Sequence, residues 1–191
     1  EDLTQIHESN NSRVYRALRV DDRQSVILKF LNADYPTPDQ LRRYRQEYFL
    51  TSQLQLANII KAYELAEWQR TLVMTIEDFG GISLKEWMHK YPQGLNGADF
   101  LPIALKISHG LAQLHSKAII HKDINPANIV INAQTEVIKL IDLGISTQLS
   151  RENPILEPPN ALEGTLPYLS PEQTGRMNRI LDYRTDFYSL G

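Results

Sequence analysis

All nine glycines of this 191-residue chain lie at or after Gly80. Residues 1–79 must therefore reverse direction without the residue that most readily takes a left-handed backbone. The polar pairs Asn10-Asn11, Asp21-Asp22 and Gln69-Arg70 are where the turns are expected, because Asn and Asp tolerate that region better than most side chains. Close turns between short apolar runs predict a small sheet. Strands are expected over residues 14–20, Ser25–Leu31, 59–64 and 71–76, the second carrying one lysine, Lys29, inside an apolar run. Between them, Thr37-Pro38-Asp39-Gln40 predicts a helix start: Thr37 caps, Pro38 suits the first position and Gln40 reaches back. That helix is expected to reach about Leu56, with Leu41, Tyr44, Tyr48 and Leu54 along it.

The break at Asp78-Phe79-Gly80-Gly81 divides the chain into residues 1–79 and 80–191. Phe100, Ile103, Ala104, Ile107, Leu111 and Leu114 recur at helical spacing and predict a helix over residues 99–116 with those side chains on its buried face. Short strands are expected at residues 129–131 and 137–141. A proline-containing loop is expected at residues 150–160, and a helix begins near Asp182. The chain stops at Gly191 inside that helix with no stop signal, so a fragment is expected.

Composition narrows the function classes. Twenty basic against 23 acidic residues leave a net charge of −3, which argues against a dedicated nucleic-acid binder. With no cysteine, a disulfide scaffold, a thiolate metal site and a cysteine nucleophile are excluded. The apolar runs are too short for membrane insertion, and Glu1-Asp2-Leu3 has no signal-peptide character, so a cytoplasmic location is expected. The run Arg42, Arg43, Arg45 reads as a solvated helix face before it reads as a phosphate site.

The strongest chemical signal is His121-Lys122-Asp123-Ile124-Asn125-Pro126-Ala127-Asn128, which follows the apolar pair Ile119-Ile120. Further on, Asp142-Leu143-Gly144 ends an apolar strand. Two carboxylates and an amide at strand ends suit one divalent cation and one acceptor hydroxyl, since Mg²⁺ takes a few oxygen ligands plus substrate phosphates. Taken singly, each of these residues also has an ordinary role: Lys29 as a strand lysine with a buried stem, Asp123 and Asn128 as turn residues, His121 as a packed histidine.

Taken together they resemble the protein kinase family. The loop is similar to H-R-D-x-x-x-x-N, and Asp142-Leu143-Gly144 to D-F-G. Val26-Ile27-Leu28-Lys29 resembles V-A-I-K, with Glu47 where the paired helix glutamate belongs. Gly164-Thr165-Leu166-Pro167-Tyr168-Leu169-Ser170-Pro171-Glu172 resembles the motif closing the activation segment. Asp186-Phe187-Tyr188-Ser189-Leu190-Gly191 resembles the opening of the central helix of the C-lobe. The stretches at residues 70–73, 77–81 and 172–179 are similar to the N-terminal kinase domains of large bacterial, notably cyanobacterial, signalling proteins that continue into an ATPase module and often a sensor histidine kinase.

The resemblance implies a two-lobe α+β fold with a truncated C-lobe, and Mg²⁺-ATP-dependent phosphorylation of Ser/Thr hydroxyls on a protein substrate. It implies roles residue by residue. Asp123 would accept or orient the hydroxyl proton; Asn128 and Asp142 would hold Mg²⁺. Lys29, held by Glu47, would bind the α- and β-phosphates. Ile6, Val14, Ile27, Ile76 and Val130 would line the ATP site, and the backbone of Glu77 and Phe79 would hydrogen-bond adenine. Asp186 would brace the catalytic loop. Downstream domains of a longer chain are the implied partners.

Several positions depart from the family pattern. The phosphate-loop window, residues 7–14, has no glycine. Ile27 stands for the usual Ala, Lys122 for Arg, Leu143 for Phe, and Asn125 for the lysine that reaches the γ-phosphate. These departures keep open a second function: a pseudokinase that senses nucleotide and regulates the domains attached to it.

Overall fold

Polar turns between apolar runs give the first unit of the chain, Glu1–Gln55 with Ile59–Gly80, a five-stranded antiparallel sheet. Its strands are β1 (Thr4–Glu8), β2 (Ser12–Leu18), β3 (Ser25–Leu31), β4 (Ala62–Trp68) and β5 (Thr71–Glu77), in the spatial order β1-β2-β3-β5-β4. The computed structural model describes residues 1–9, 11–33, 35–148, 164–174 and 181–191.

The glycine-free turns form as side-chain chemistry requires. Arg23 (φ 58°) and Gln69 (φ 55°) take the left-handed region between β2 and β3 and between β4 and β5. At the first of these, Asp22 Oδ1 accepts the Gln24 N–H at 3.0 Å. Between β1 and β2, Ser9 Oγ accepts the Ser12 N–H at 3.1 Å, and the Ser9 N–H bonds Ser12 O at 2.8 Å. A serine pair thus closes the turn assigned above to Asn10-Asn11; Asn10 lies outside the described residues.

Register explains where strands depart from expectation. β2 ends at Leu18, not at residue 20, because its partner β3 begins at Ser25 and the two are paired. β4 lies at Ala62–Trp68 and not at residues 59–64, because the Gln69-Arg70 turn pairs Trp68 with Thr71 and the ladder grows from there. β1 carries five exposed residues with no apolar alternation, so no sequence signal marked it.

Helix α1 (Pro38–Gln53) begins with the expected capping box: Thr37 Oγ1 accepts the Gln40 N–H, and Gln40 Oε1 accepts the Thr37 N–H at 2.8 Å. It ends short of residue 56, because Leu54 turns extended and is buried. Leu31, Tyr44, Leu72 and Met74 form the core between helix and sheet, with Leu41, Tyr48, Ala62, Leu65 and Ile76 around it. Burying apolar side chains of this size is worth about 1.5–3 kcal/mol each. The Tyr44 hydroxyl donates to the Lys29 carbonyl and fixes the helix over β3. On the outer face Arg42 and Arg43 pair with Asp39, and Arg45 with Glu67, the arrangement of a solvated ionic surface.

The second unit comprises Leu56–Asn58 and Gly81–Gly191. Its elements are β6 (Ile82–Ser83), α2 (Leu84–Met88), α3 (Gly97–Ser116), β7 (Ile119–Ile120), β8 (Ile129–Asn132), β9 (Val137–Leu140), β10 (Thr147–Gln148), a 3-10 turn at Leu166–Tyr168 and α4 (Arg184–Leu190). Strands β6, β8 and β9 form one antiparallel sheet, and β7 pairs with β10. The architecture is α+β.

Helix α3 buries Ile107, Gly110, Leu111 and Leu114, all in its C-terminal half. Phe100, assigned above to the buried face, is 55% exposed, because the helix packs over only its last turns. A Cβ on Gly110 would sit 3.1 Å from Asn58 Cβ and 3.4 Å from Leu140 Cδ1. The missing side chain lets Asn58 reach β9, where its amide donates to Ile138 O at 3.0 Å and its carbonyl accepts the Leu140 N–H at 2.8 Å. The loop expected at residues 150–160 lies outside the described residues. Among the described residues, no helix is long and apolar enough to cross a membrane.

The capping box gives the first prediction. Thr37→Ala removes the acceptor for the Gln40 N–H and is expected to cost about 1 kcal/mol of local helix stability. Amide hydrogen exchange across the first turn of α1 checks it; protection equal to wild type would show that the cap contributes nothing.

Candidate active site

In the first unit the central fact is a buried charge on an otherwise apolar stripe. Glu47 shares the inward face of α1 with Tyr44, Leu50 and Thr51. Its Oε1 lies 2.6 Å from Lys29 Nζ on β3, and the two side chains are 8% and 12% exposed. Neither charge is tolerable alone at that burial, so each requires the other. The pairing expected from the sequence is present. Val14 lies opposite Lys29 on β2, and Ile27 lies opposite Ile76 on β5. Ile6 is half exposed on the edge strand β1.

The segment leaving β5 is held by Asp78, a residue for which the sequence offered no role. Its carboxylate accepts from Arg16 Nε at 2.6 Å, from Ser25 Oγ at 2.6 Å and from the Gly80 N–H at 2.9 Å. Glu77 donates its N–H to Lys61 O at 3.0 Å and accepts the Lys61 N–H at Oε1 at 2.7 Å. These bonds fix the backbone on both sides of Phe79. The signal available in the sequence was Asp78 two residues before Gly80, which reads as a turn.

In the second unit a fully buried carboxylate, Asp186 at the start of α4, organises the loop after β7. Its Oδ2 accepts the His121 N–H at 2.9 Å, and its Oδ1 the Lys122 N–H at 2.8 Å. His115 Nε2 approaches Oδ2 at 2.8 Å. Lys122 takes φ 70°, a left-handed conformation that costs a non-glycine residue about 1–2 kcal/mol and needs such anchoring. His121 is buried; its Nδ1 accepts the Asp123 N–H at 3.3 Å, so Nε2 carries the proton donated to Ile141 O at 3.0 Å.

Asp123 and Asn128 meet directly. Asn128 Nδ2 donates to Asp123 Oδ2 at 2.8 Å and to Asp123 O at 2.9 Å. With its nitrogen so engaged, Asn128 Oδ1 is the atom able to ligate a cation. The Ile141 N–H bonds Asn128 O at 3.0 Å, and Ile141 O receives His121, so the residue before Asp142 is stitched to the loop from both sides. Asp142 takes φ 63°, and its Oδ1 accepts the Gly144 N–H at 3.2 Å. Val130 lies on β8, opposite Lys139.

Two further residues touch Asp123. Thr165 donates both its N–H, at 2.9 Å, and its hydroxyl, at 2.8 Å, to Asp123 Oδ1. Asn125 Nδ2 reaches the same oxygen at 3.0 Å. Gly164 (φ 113°) makes this possible, since a Cβ there would stand 2.7 Å from Leu169 Cδ2 and 3.3 Å from Lys122 O. Thr165 was legible only as part of a motif, with no contact attached to it.

Oxygen donors from Asn128 and Asp142 fit a hard cation such as Mg²⁺. Among the described residues, no group of three or more His, Cys, Asp and Glu side chains could hold a metal ion. With Asn128 and Asp142 as its ligands, phosphate oxygens and water would complete the shell, the usual arrangement for Mg²⁺.

Comparison with known proteins shows the family to which the chain belongs. Residues 1–191 match the family model described as protein kinase domain. The chain is 32% identical over 181 residues to the serine/threonine-protein kinase PrkC of Bacillus subtilis, covering 94% of this chain and 27% of that protein. It is 30% identical over 199 residues to a probable serine/threonine-protein kinase PknB of Bifidobacterium longum, covering 99% and 27%. It is 28% identical over 195 residues to the serine/threonine-protein kinase PknB of Mycobacterium tuberculosis, covering 99% and 29%. The chain thus spans under a third of the length of these relatives.

Asp78 gives a pH prediction. Burial pushes its carboxyl up, but hydrogen bonds from Arg16, Ser25 and the Gly80 N–H, with the Arg16 charge, outweigh burial and hold it below the ordinary 3.8. A depressed carboxyl adds stability that is complete above its unfolded value, near 3.9, and is lost as pH falls through the lower folded value. Asp78→Ala is expected to cost about 2 kcal/mol at pH 7 and less at pH 3. Urea unfolding at both pH values checks this; an equal cost at both would contradict the assignment.

Proposed function

Because the chain belongs to the protein kinase domain family, we propose that it transfers the γ-phosphoryl group of ATP to serine or threonine hydroxyls of protein. The observation that carries this reading is Asp123, a half-buried carboxylate held by Asn128, Asn125 and Thr165 beside the strand end that bears Asp142. Such a group can take a hydroxyl proton without moving.

The acceptor oxygen bonds the γ-phosphorus as the bond from phosphorus to the β,γ-bridging oxygen breaks. ADP leaves with that electron pair, and the hydroxyl proton goes to Asp123. Lys29, held by Glu47, binds the α- and β-phosphates. Asn128 and Asp142 would hold Mg²⁺, which neutralises phosphate charge when bound. Ile6, Val14, Ile27, Ile76 and Val130 supply apolar surface for adenine, and the backbone of Glu77 and Phe79 its hydrogen bonds. The relatives named above are bacterial, and this reading places the chain in a bacterial signalling protein whose further domains it serves.

A second reading, a nucleotide-sensing module without transfer, has one observation in its favour. The β1–β2 turn is closed by Ser9 and Ser12 and lacks the glycine that lets backbone approach phosphate.

The experiment is transfer of labelled phosphate from ATP to the protein itself and to a generic protein acceptor, using the full-length protein. Asp123→Asn is expected to lower kcat by about 10²–10⁴-fold with nucleotide affinity retained. Lys29→Met is expected to weaken ATP binding, and Mg²⁺ to strengthen it in wild type. Mg²⁺-dependent binding with no transfer by wild type would favour the second reading.

A further inference from the structure

We propose that Asn125 is a positioning residue that, with Thr165, locks the Asp123 carboxylate so that Oδ2 is the oxygen offered to the acceptor hydroxyl. This rests on the phosphoryl-transfer reading above and goes beyond it by assigning a task to the residue that stands where a lysine is usual.

The argument is a count of hydrogen-bonding capacity. Asp123 Oδ1 receives three donors among the described residues: Asn125 Nδ2 at 3.0 Å, the Thr165 N–H at 2.9 Å and the Thr165 hydroxyl at 2.8 Å. An ionised carboxylate offers about two acceptor sites per oxygen, so Oδ1 is fully subscribed. Oδ2 receives Asn128 Nδ2 at 2.8 Å and keeps capacity for one more donor. Asn125 Nδ2 also reaches Thr165 Oγ1 at 3.0 Å, which leaves the hydroxyl proton pointing at Asp123 and not elsewhere.

Asn125 is 4% exposed and works on both sides. Its Oδ1 accepts the Ala127 N–H at 2.8 Å and the Asn128 N–H at 3.2 Å, which shapes the loop. Its Nδ2 faces the reacting carboxylate. The first task is structural; the second bears on the reaction. They can be separated because the loop N–H groups need an acceptor and the carboxylate needs a donor; Asn125 Nδ2 also reaches Asp123 O at 3.2 Å, but Asn128 Nδ2 already serves that oxygen at 2.9 Å.

Asn125→Asp makes that separation. It keeps an acceptor for the Ala127 and Asn128 N–H groups, removes the donor, and sets a second carboxylate beside Asp123. In full-length protein, Asn125→Asp is expected to lower kcat by about tenfold or more, with KM for ATP within about twofold. Thr165→Val should lower kcat by about tenfold, and Thr165→Ser should restore it, since serine keeps the hydroxyl and the N–H.

An Asn125→Asp protein with wild-type kcat overturns the proposal, as does a Thr165→Val protein with wild-type kcat. A purely structural Asn125 would show falling thermal stability with kcat and KM for ATP unchanged below the melting temperature, and that result would also overturn the proposal. Wild type without any transfer would instead bring down the phosphoryl-transfer reading, and the positioning role with it.

Discussion

The loop that carries Asp123 depends on one buried carboxylate. Asp186 has no exposed surface, and its two oxygens accept the N–H groups of His121 and Lys122, with His115 at the second. Without those acceptors the two N–H groups would be buried and unpaired, at about 1–3 kcal/mol each. Lys122 would also have nothing to hold it in the left-handed region. From that anchor follows the direction of Asp123, then the Asn128 amide on its oxygen, then the Ile141 hydrogen bonds that bring Asp142 beside the loop. One interaction at the base of the loop therefore decides the geometry of the reacting groups above it.

The first unit uses the same device twice. Glu47 is a charge on the buried face of α1 and is tolerable only because Lys29 reaches it from β3. Asp78 is a carboxylate at the ends of the central strands, satisfied by a guanidinium, a hydroxyl and a backbone N–H. In both cases the charge costs stability unless its partner is present, so the pair specifies one arrangement more than it stabilises any. For Glu47 that arrangement fixes the rotation of α1 over the sheet. For Asp78 it fixes the backbone that leads through Phe79 to Gly80.

Much of this was legible in the residues. The capping box of α1, the Gln69-Arg70 turn and the strand Ser25–Leu31 appear where local chemistry placed them, because each is decided by neighbours in sequence. Asp123, Asn128 and Asp142 stood out by their types at strand ends, whereas Lys29 and Glu47 stood out only through the family resemblance. The start of β4 and the end of β2 were not, because a strand's limits belong to its partner. Phe100 shows the same failure in a helix: its spacing suited a buried face, but burial depends on what packs there. Asp78 and Thr165 stood out only as a break and as part of a motif, because their importance lies in what they touch across the fold.

Asn125 marks the division most clearly. The sequence by itself determined that a neutral amide, and not a cation, stands two residues after Asp123, and with it the types of group available for chemistry. It also determined the glycine-free turns, since the absence of glycine before residue 80 forces polar residues into them. Only the tertiary structure decided that the amide's nitrogen faces the Asp123 carboxylate while its oxygen caps the loop, and that Thr165 arrives at the same oxygen. The physical reason is range. Propensity, capping and spacing act over a few residues, whereas hydrogen bonds between Thr165 and Asp123, or Asp186 and His121, exist only after the chain has brought distant segments within about 3 Å.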